Sequence, residues 1–327
     1  MIGIVNPHNS VFFNLATEEY LLNNLPQGFV MVWKSSAAVV VGKHQNALAE
    51  VNLEYVLSNQ IPVARRISGG GTVVHDPGNL NFTIALPVND SEKLIDYKRF
   101  LNPIIDFLKS YGITASFSGR NDLLVNDLKI SGNAQHHFRK NKLIMHHGTL
   151  LFDADLANLS EAIRVDPNKY KDKAVQSNRS SVCNLLPLLN SPCSIEDFEQ
   201  NLQQFLFSYF HCSEVRNLYE SETSLIKQLV SSKFVTPEWN WGYSPAYSFS
   251  NQFVYEHSQV EVFFQVGRDA MIQDVQWNCS NPILLNRFNM FGMQLLQSPH
   301  FPDSIQSKLR EVFPDSSRFH PLLFAFF

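Results

Sequence analysis

The segment Arg65–Asp76 carries the strongest chemical signal in the chain, because two arginines precede three consecutive glycines (RRISGGGTVVHD). The chain has only 14 glycines in 327 residues, so a chance triplet is expected about 0.03 times. Glycines let the backbone adopt positive φ and approach a ligand, and successive N–H groups in such a turn converge on an anion. The arginines add charge-assisted hydrogen bonds. The segment predicts an anion-binding turn without a Walker lysine, with a flexible hairpin loop as the alternative.

A second group of polar residues follows in two pieces, Gly119–Leu123 and Lys129–Gln135. Lys129 lies in an apolar/polar alternation that ends in Ser131-Gly132, which predicts an inward-pointing side chain at a strand end. A partly desolvated lysine is a compact cation suited to phosphate or carboxylate. Most lysines are solvated, so Lys129 alone does not decide between a site and a surface residue.

Histidines and cysteines give weaker signals. His146-His147 follows the earlier pair His136-His137, but adjacent residues on a strand point to opposite faces, which disfavours a shared metal ion. The four cysteines form no C-x-x-C pair, so neither a disulfide scaffold nor a cysteine-based zinc site is expected.

Composition limits the classes of partner. The chain carries 26 basic and 30 acidic residues, a net charge of −4, whereas a non-specific nucleic-acid binder normally has a basic excess. No apolar run approaches the roughly 18 residues of a membrane helix. The first residues lack a basic region and become acidic at Glu18 and Glu19, which is unlike a signal peptide. We therefore expect a cytoplasmic protein that binds neither nucleic acid nor membrane.

The order of predicted helices and strands is mixed α+β, unlike the regular alternation of a Rossmann domain. A length of 327 residues predicts about two domains. Residues 237–250 mix aromatic and turn residues and predict an ordered linker or interface strip. A hairpin and two helices follow it, and the apolar end PLLFAFF is expected to dock on the protein itself. The predicted division is a catalytic domain at 1–243, a linker at 244–253 and a C-terminal accessory domain at 254–327.

Taken in order, these segments resemble the lipoate–protein ligase family. The match spans nearly the whole chain. Its motifs are R-R-x-S-G-G-G-x-V-x-H-D at Arg65–Asp76 with G-N at Gly78-Asn79, G-R-N-D-L at Gly119–Leu123, K-x-S-G at Lys129–Gly132 and H-H-G-T-L-L at His146–Leu151, with an upstream turn at Val41–Asn46 and a tryptophan-rich linker, shorter by one residue, at Trp239–Ser248.

The resemblance implies a biotin/lipoate ligase catalytic domain, a mixed β-sheet flanked by helices, with a small α+β accessory domain. It implies two half-reactions: lipoate and Mg-ATP give lipoyl-AMP and pyrophosphate, and the lipoyl group then passes to a lysine of a carrier. ATP and Mg²⁺ would be the cofactors, with no tightly bound organic cofactor. The carriers would be apo lipoyl domains of 2-oxoacid dehydrogenase E2 subunits and the glycine cleavage H protein.

The resemblance also assigns roles to residues. Lys129 is the expected catalytic residue, bridging the acyl carbonyl and the phosphate. The expected nucleotide contacts are Arg66, Gly71, Thr72, Val73 and Val74, together with Lys129. The expected lipoate contacts are Ser68, Gly69, Gly70, His75 and His147, again with Lys129. Asn79, Asn121 and Asp122 are further candidates, and Asp122 is the candidate Mg²⁺ ligand.

Other functions remain open at this point. A lipoyltransferase that uses preformed lipoyl-AMP or an acyl carrier would keep the same motifs. A related acyltransferase would need a nucleophilic cysteine, but the corresponding stretch, residues 165–169, has none, and Cys183 lies further along. A biotin-ligase-like regulator would need an N-terminal helix–turn–helix, for which there is no room. A binding module would not need Lys129 and the arginine pair together.

Overall fold

The computed structural model describes residues 1–88, 96–119, 121–177, 180–313 and 321–327. Its strands are β1 (Ile2–Val5), β2 (Phe29–Lys34), β3 (Ala38–Val41), β4 (Val63–Arg65), β5 (Val73–His75), β6 (Asn79–Pro87), β7 (Ser116–Phe117), β8 (Asp122–Val125), β9 (Leu128–Phe138), β10 (Leu143–Leu151), β11 (Tyr170–Asp172), β12 (Glu214–Asn217), β13 (Tyr247–Tyr255), β14 (Ser258–Val266) and β15 (Ile272–Cys279). Its α-helices are α1 (Val11–Asn24), α2 (Ala47–Glu50), α3 (Leu53–Ser58), α4 (Tyr97–Ser110), α5 (Leu156–Ala162), α6 (Ile195–Tyr209), α7 (Glu220–Leu229), α8 (Pro282–Leu295), α9 (Pro302–Val312) and α10 (Pro321–Phe324). None of the described helices is long and apolar enough to cross a membrane.

A mixed eight-stranded sheet forms the centre of the fold, in the order β12-β1-β2-β6-β10-β9-β8-β7. Strand β2 shows why both of its faces are covered. Val30 and Val32 point to one face, where helices α4 and α6 pack. Phe29, Met31 and Trp33 point to the other face, against α1. This alternation is the period of two expected of a strand, and here both sets of side chains are buried.

A second, three-stranded sheet in the order β4-β3-β5 carries the glycine turn. β4 lies parallel and β5 antiparallel to β3, so the chain between them must reverse direction. Gly70 makes this possible with a φ of +89°. Gly42, just after β3, packs so closely that a Cβ there would collide with the Gly70 carbonyl oxygen. Both glycines are therefore required by the turn itself.

The third sheet has the order β11-β13-β14-β15 and is covered by the C-terminal helices. The predicted hairpin is confirmed as β14 and β15. The predicted linker at 244–253 is mostly strand, because β13 begins at Tyr247 and buries Tyr247 and Phe249 while its intervening residues face outward. The C-terminal residues pack in the same core, with Phe326 and Phe327 buried, as expected for the apolar end. The division into domains stays a prediction.

β11 lies between α5 and α6 along the chain and pairs antiparallel with β13, the first long strand of the C-terminal part. The core under this third sheet also includes residues of β3 and α2, such as Val39 and Ala47. The glycine-turn sheet and the C-terminal part are thus packed as one apolar unit.

Candidate active site

A cavity of about 1010 Å³ lies between the glycine turn, the start of β9 and the middle of β10. Most of the residues singled out from the sequence meet there, although they come from segments far apart in the chain. The lining residues used below are Arg66, Gly70, Gly71, Thr72, Val73, His75, Asn121, Asp122, Lys129, Gly132, Asn133 and His147. Further lining comes from Leu15, Trp33, Val40, Tyr97 and Val175–Ser177.

Lys129 is held by its backbone on both sides. Its N–H donates to the Ser181 carbonyl at 2.9 Å, and its own carbonyl accepts from the Cys183 N–H at 3.0 Å. Its Nζ lies 3.0 Å from Asp122 Oδ1. The amine folds back over Gly132, where a Cβ would lie only 3.1 Å from Nζ. The lysine therefore has a defined position on the cavity wall.

The glycine turn and the Lys129 amine face the same space. A Cβ built on Gly132 would lie 3.1 Å from Lys129 Nζ and 3.8 Å from Val73 Cγ1, so both groups border one point. A Cβ built on Gly70 would likewise lie 3.8 Å from the Cβ of Ala134, which follows Gly132 on β9. A cation on one strand and an amide-rich turn on another thus share one cavity.

Arg66 organises the turn from inside. Its side chain donates to the carbonyls of Val40 (3.1 Å), Gly69 and Gly71 (both 2.7 Å) and to Ser68 Oγ (3.0 Å). Burial lowers the pKa of this guanidinium to about 10, which leaves it charged at neutral pH. Most of its five donors are used on the turn, so its first effect is to shape the loop that a ligand would meet.

A chain of buried hydrogen bonds continues from Ser68 to Glu18. Ser68 Oγ lies 2.6 Å from His147 Nε2, and His147 Nδ1 lies 2.9 Å from Glu18 Oε1. Glu18 also accepts from Thr83 Oγ1 at 2.6 Å, and Thr83 in turn accepts from Trp33 Nε1 at 3.0 Å. Glu18 and Ser68 are both 0% exposed. This series of hydrogen bonds fixes the His147 ring at the cavity wall.

Four of the candidate site residues do not line the cavity: Ser68, Gly69, Val74 and Asn79. Val74 points away because successive residues of β5 alternate, and it packs instead on the C-terminal core. Ser68 and Gly69 serve Arg66, as described, and Asn79 donates to Asn81 Oδ1 at 3.1 Å. Their roles in binding stay predictions that would have to act through neighbours or backbone.

The remaining candidates are placed at the wall. Asn121 Nδ2 donates to the Asn133 carbonyl and Asn133 Nδ2 to the Asn121 carbonyl, which joins the G-R-N-D-L segment to β9. Arg120, the second residue of that segment, lies outside the described residues. The Thr72 N–H, expected to face a ligand, donates to Ser177 Oγ at 2.8 Å.

Comparison with known proteins places the chain in a family. The family model of the lipoyl protein ligase A/B catalytic domain matches residues 10–207. Lipoate–protein ligase 1 of Staphylococcus aureus is 38% identical over 257 residues, which are 78% of this chain and 77% of the relative. The chain belongs to the lipoate–protein ligase family. The family and the α+β fold class predicted from the motifs are thereby confirmed.

Two solved structures share the fold of this ligase. LipL1 of P. falciparum, in complex with lipoate, is 22% identical with a TM-score of 0.62 and covers 95% of this chain and 94% of its own. A lipoate–protein ligase A bound with ATP is 23% identical with a TM-score of 0.62, covering 74% and 99%. Their likeness supports the architecture described above.

The sequence did not single out several residues that shape the ligase's cavity. Trp33 stands edge-on to His75 with ring centroids 5.6 Å apart, and Leu15 and Val40 add further apolar lining. Their signal in the sequence was only that of a core helix and core strands. Ser177 was missed because the loop around it contains no residue pattern that predicts a binding or catalytic site.

Buried histidines of the ligase are held neutral. Burial lowers the pKa of His75 to about 3, and its Nδ1 has no hydrogen-bond partner among the described residues. No group of three or more His, Cys, Asp or Glu side chains in the described part of the chain is arranged to hold a metal ion.

The geometry does not favour Cys183 as a nucleophile. Burial raises the pKa of its thiol, which reduces the reactive thiolate. Its side chain packs against the apolar cluster under the main sheet and is not part of the cavity lining. Cys183 therefore gives no support to the acyltransferase alternative.

Proposed function

We propose that this ligase activates lipoate with ATP to lipoyl-AMP and then transfers the lipoyl group to a lysine of an apo carrier domain. The shared wall of Lys129 and the glycine turn is the observation that carries this proposal. In both steps negative charge develops on oxygens around one phosphate, which a fixed cation and aligned amides stabilise. A cavity of about 1010 Å³ has room for an acyl chain and a nucleotide together.

The two halves of the substrate would occupy different parts of the cavity. Trp33 stands edge-on to His75, and Leu15 and Val40 add apolar lining, which suits the aliphatic chain and dithiolane of lipoate. His147 also lines the cavity. Gly71, Thr72 and the segment at Ser177 form the more polar end, which suits the nucleotide. Lys129 would stand between them, at the reacting centre.

In the first step a lipoate carboxylate oxygen attacks the α-phosphorus of ATP and pyrophosphate leaves. Two anions must approach, so a nearby cation is valuable: a Lys⁺ about 4 Å from the developing charge is worth roughly 4 kcal/mol at an effective dielectric near 20. Lys129 supplies that charge without giving up a proton. In the second step the carrier lysine's neutral amine attacks the acyl carbonyl, AMP leaves, and the amine's proton passes to solvent.

Mg²⁺ would enter with ATP. Asp122 is the carboxylate among the described lining residues, and its Oδ1 already pairs with Lys129 at 3.0 Å. This fits at most one protein ligand, with the remaining ligands coming from phosphate oxygens and water, as is usual for Mg²⁺. The ion would supply neutralisation of the phosphate charge.

The carriers remain those implied by the family: apo lipoyl domains of 2-oxoacid dehydrogenase E2 subunits and the glycine cleavage H protein. A cytoplasmic location and the absence of nucleic-acid partners also stay predictions. The alternative, transfer from preformed lipoyl-AMP with little adenylation, is not favoured by the comparison with relatives named as ligases.

ATP–pyrophosphate exchange with and without lipoate tests the proposal. Exchange that requires lipoate is expected, because the labelled pyrophosphate re-enters ATP only through lipoyl-AMP. Efficient transfer from synthetic lipoyl-AMP without any exchange would instead establish the transferase alternative.

A further inference from the structure

Ser177 ties the loop after β11 to the glycine turn. Its Oγ accepts from the Thr72 N–H at 2.8 Å and from Gln45 Nε2 at 3.1 Å, and it donates to Glu50 Oε2. The Ser177 N–H donates to the other Glu50 oxygen, Oε1, at 3.2 Å. We name these four residues, Ser177, Glu50, Thr72 and Gln45, the Ser177 clasp.

The clasp forms a wall of the cavity and does not fill it. Gly71, Thr72, Lys129 and Ser177 all line the cavity of about 1010 Å³ while every bond of the clasp is made. Ser177 also packs directly on Gly71, where a Cβ would lie 3.1 Å from both its Cα and its Oγ. The turn and the loop are therefore held at one separation by both contact and hydrogen bonds.

Glu50 determines which groups donate and which accept hydrogen bonds within the Ser177 clasp. A carboxylate is an acceptor only, so it takes both the N–H and the O–H of Ser177 and leaves the Oγ lone pairs for Thr72 and Gln45. Gln45 repeats the pattern, since its Oε1 accepts from the Gly42 N–H at 2.8 Å and from Thr72 Oγ1 at 3.0 Å. Burial raises the pKa of Glu50, while the donors from Ser177 and Thr72 oppose that shift.

We propose that Glu50, acting through Ser177, is a positioning residue that sets the nucleotide end of the cavity by fixing the loop at 175–177 against the glycine turn. The inference rests on the proposed function, because it assigns that end of the cavity to ATP. Glu50 itself does not line the cavity, so its effect must pass through Ser177. Among the residues that the structure describes, no hydrogen bond joins Trp33 or His147, at the acyl end, to the clasp.

Kinetics of the full-length chain with Glu50→Gln and Ser177→Ala test this role. Each variant is expected to raise the KM for ATP about tenfold, the effect of one lost hydrogen bond to a charged group, while kcat and the KM for lipoate change less than about twofold. The double variant is expected to lose no more than about twice the larger single effect, because both act on one connection. Glu54→Gln, an exposed carboxylate on α3, is the matched control and should equal the parent.

Three results would overturn the inference: an unchanged KM for ATP in both variants, multiplied losses in the double variant, or an equal rise in the KM for lipoate. Titration with a non-hydrolysable ATP analogue, with circular dichroism to confirm folding, separates this inference from the proposed function. If the parent binds the analogue but shows no lipoate-dependent exchange, the proposed function fails. The clasp is then judged by whether Glu50→Gln and Ser177→Ala weaken analogue binding about tenfold and Glu54→Gln does not.

Discussion

Lys129 reaches the cavity because the strand beneath it has no side chain at Gly132. The register of β8 against β9 shifts between Leu123 and Leu124, beside the lysine, and the irregularity turns its side chain back along the strand. Asp122 then balances the ammonium at 3.0 Å. The anionic groups of a substrate would compete with Asp122 for the same ammonium group. The ion pair therefore holds the positive charge of Lys129 in position before a substrate binds.

Replacing Lys129 by alanine is expected to lower lipoate-dependent ATP–pyrophosphate exchange by about 10²–10³-fold or more, the scale of a lost electrostatic stabiliser. Lys129→Met keeps the volume without the charge and should lose as much. Lys140→Ala, at an exposed position, is the control. Exchange that survives in a folded Lys129→Met protein would remove the lysine from the reaction.

Gly132→Ala probes the position of the amine and leaves its charge in place. The new methyl group would lie 3.1 Å from Lys129 Nζ and must push the flexible lysine aside by a few tenths of an ångström. Because misplacement by about 1 Å can cost about 10²-fold, a loss of about tenfold in kcat is expected, with little change in the melting temperature. Parent-like turnover would show that the site tolerates a displaced amine.

The sequence predicted the two charged residues of the site but not the residues that hold the site in place. Lys129 and Arg66 were predicted from motifs that stay local in the chain. Glu18 was interpreted only as one of two acidic residues that make the N-terminus unlike a signal peptide. Its buried hydrogen-bond partner is His147, which lies 129 residues away along the chain, and no pattern within α1 predicts that contact.

Among the elements, the β4-β3-β5 sheet gives the glycine turn its shape through Arg66. One guanidinium joins the end of β3, at Val40, to two carbonyls within the turn. Its neighbour Arg65 works in the opposite direction, donating to the carbonyls of Gly42, Gln45 and Asn240. Arg66, just after β4, thus connects β3 to the glycine turn, and Arg65, the last residue of β4, connects to the segment before β13.

Arg66→Ala and Arg66→Lys are both expected to weaken binding of an ATP analogue by about tenfold or more and to lower the free energy of unfolding. A lysine has one ammonium where the turn needs a planar fork, so it cannot satisfy three separated carbonyls. Calorimetric titration together with urea unfolding measures both effects. If lipoate affinity falls while affinity for the ATP analogue is kept, the two ends of the cavity have been assigned in reverse.

Helices α4 and α6 were predictable because their apolar residues recur at the local period of a helix, and β2 because it is a short run of apolar residues. The alternation around Lys129 ends in Ser131-Gly132 in the sequence, but strand β9 continues from Leu128 to Phe138. Its polar residues 133, 135 and 137 hide the strand pattern. Asn133 Nδ2 donates to the Asn121 carbonyl and Gln135 Nε2 donates to His146 Nδ1, and both partners come from other segments of the chain. β13 was hidden in the same way by turn-like residues among its aromatics.

For the whole molecule, the C-terminal part and the catalytic part share both a sheet and a core. β11 pairs with β13, and Ser177 follows β11 by five residues. A shift of the C-terminal sheet would therefore pull directly on the loop that the Ser177 clasp fixes. Sequence alone separated these parts by their order along the chain and gave no sign of the pairing, which is a long-range contact.

Stability of the whole molecule is expected to fall steeply in acid because buried histidines must stay neutral. Burial lowers the pKa of His75 to about 3 and of His300 to about 4, and it places the pKa of His146 well below its ordinary value of 6.5. The unfolded chain takes up these protons from about pH 6.5 downward while the folded protein does not. The stabilisation is therefore complete above about pH 6.5 and is lost as the pH falls toward 4, by at most about 1.4 kcal/mol per pH unit for each histidine.

Urea unfolding at about pH 7.5, 6 and 5 measures this loss, with Asp76 and Glu50, whose pKa values burial raises, opposing it to a smaller extent. His300 offers the control, because its Nε2–H donates to the Phe326 carbonyl at 2.7 Å and its Nδ1 accepts from Tyr247 Oη at 2.8 Å, far from the cavity lining. His300→Gln removes one titrating group and should flatten the dependence by up to one proton, at the cost of lower stability at neutral pH. A free energy of unfolding that stays constant from pH 7.5 to 5 would mean that these rings accept protons in place, and the buried hydrogen bonds assigned to them would have to be reversed.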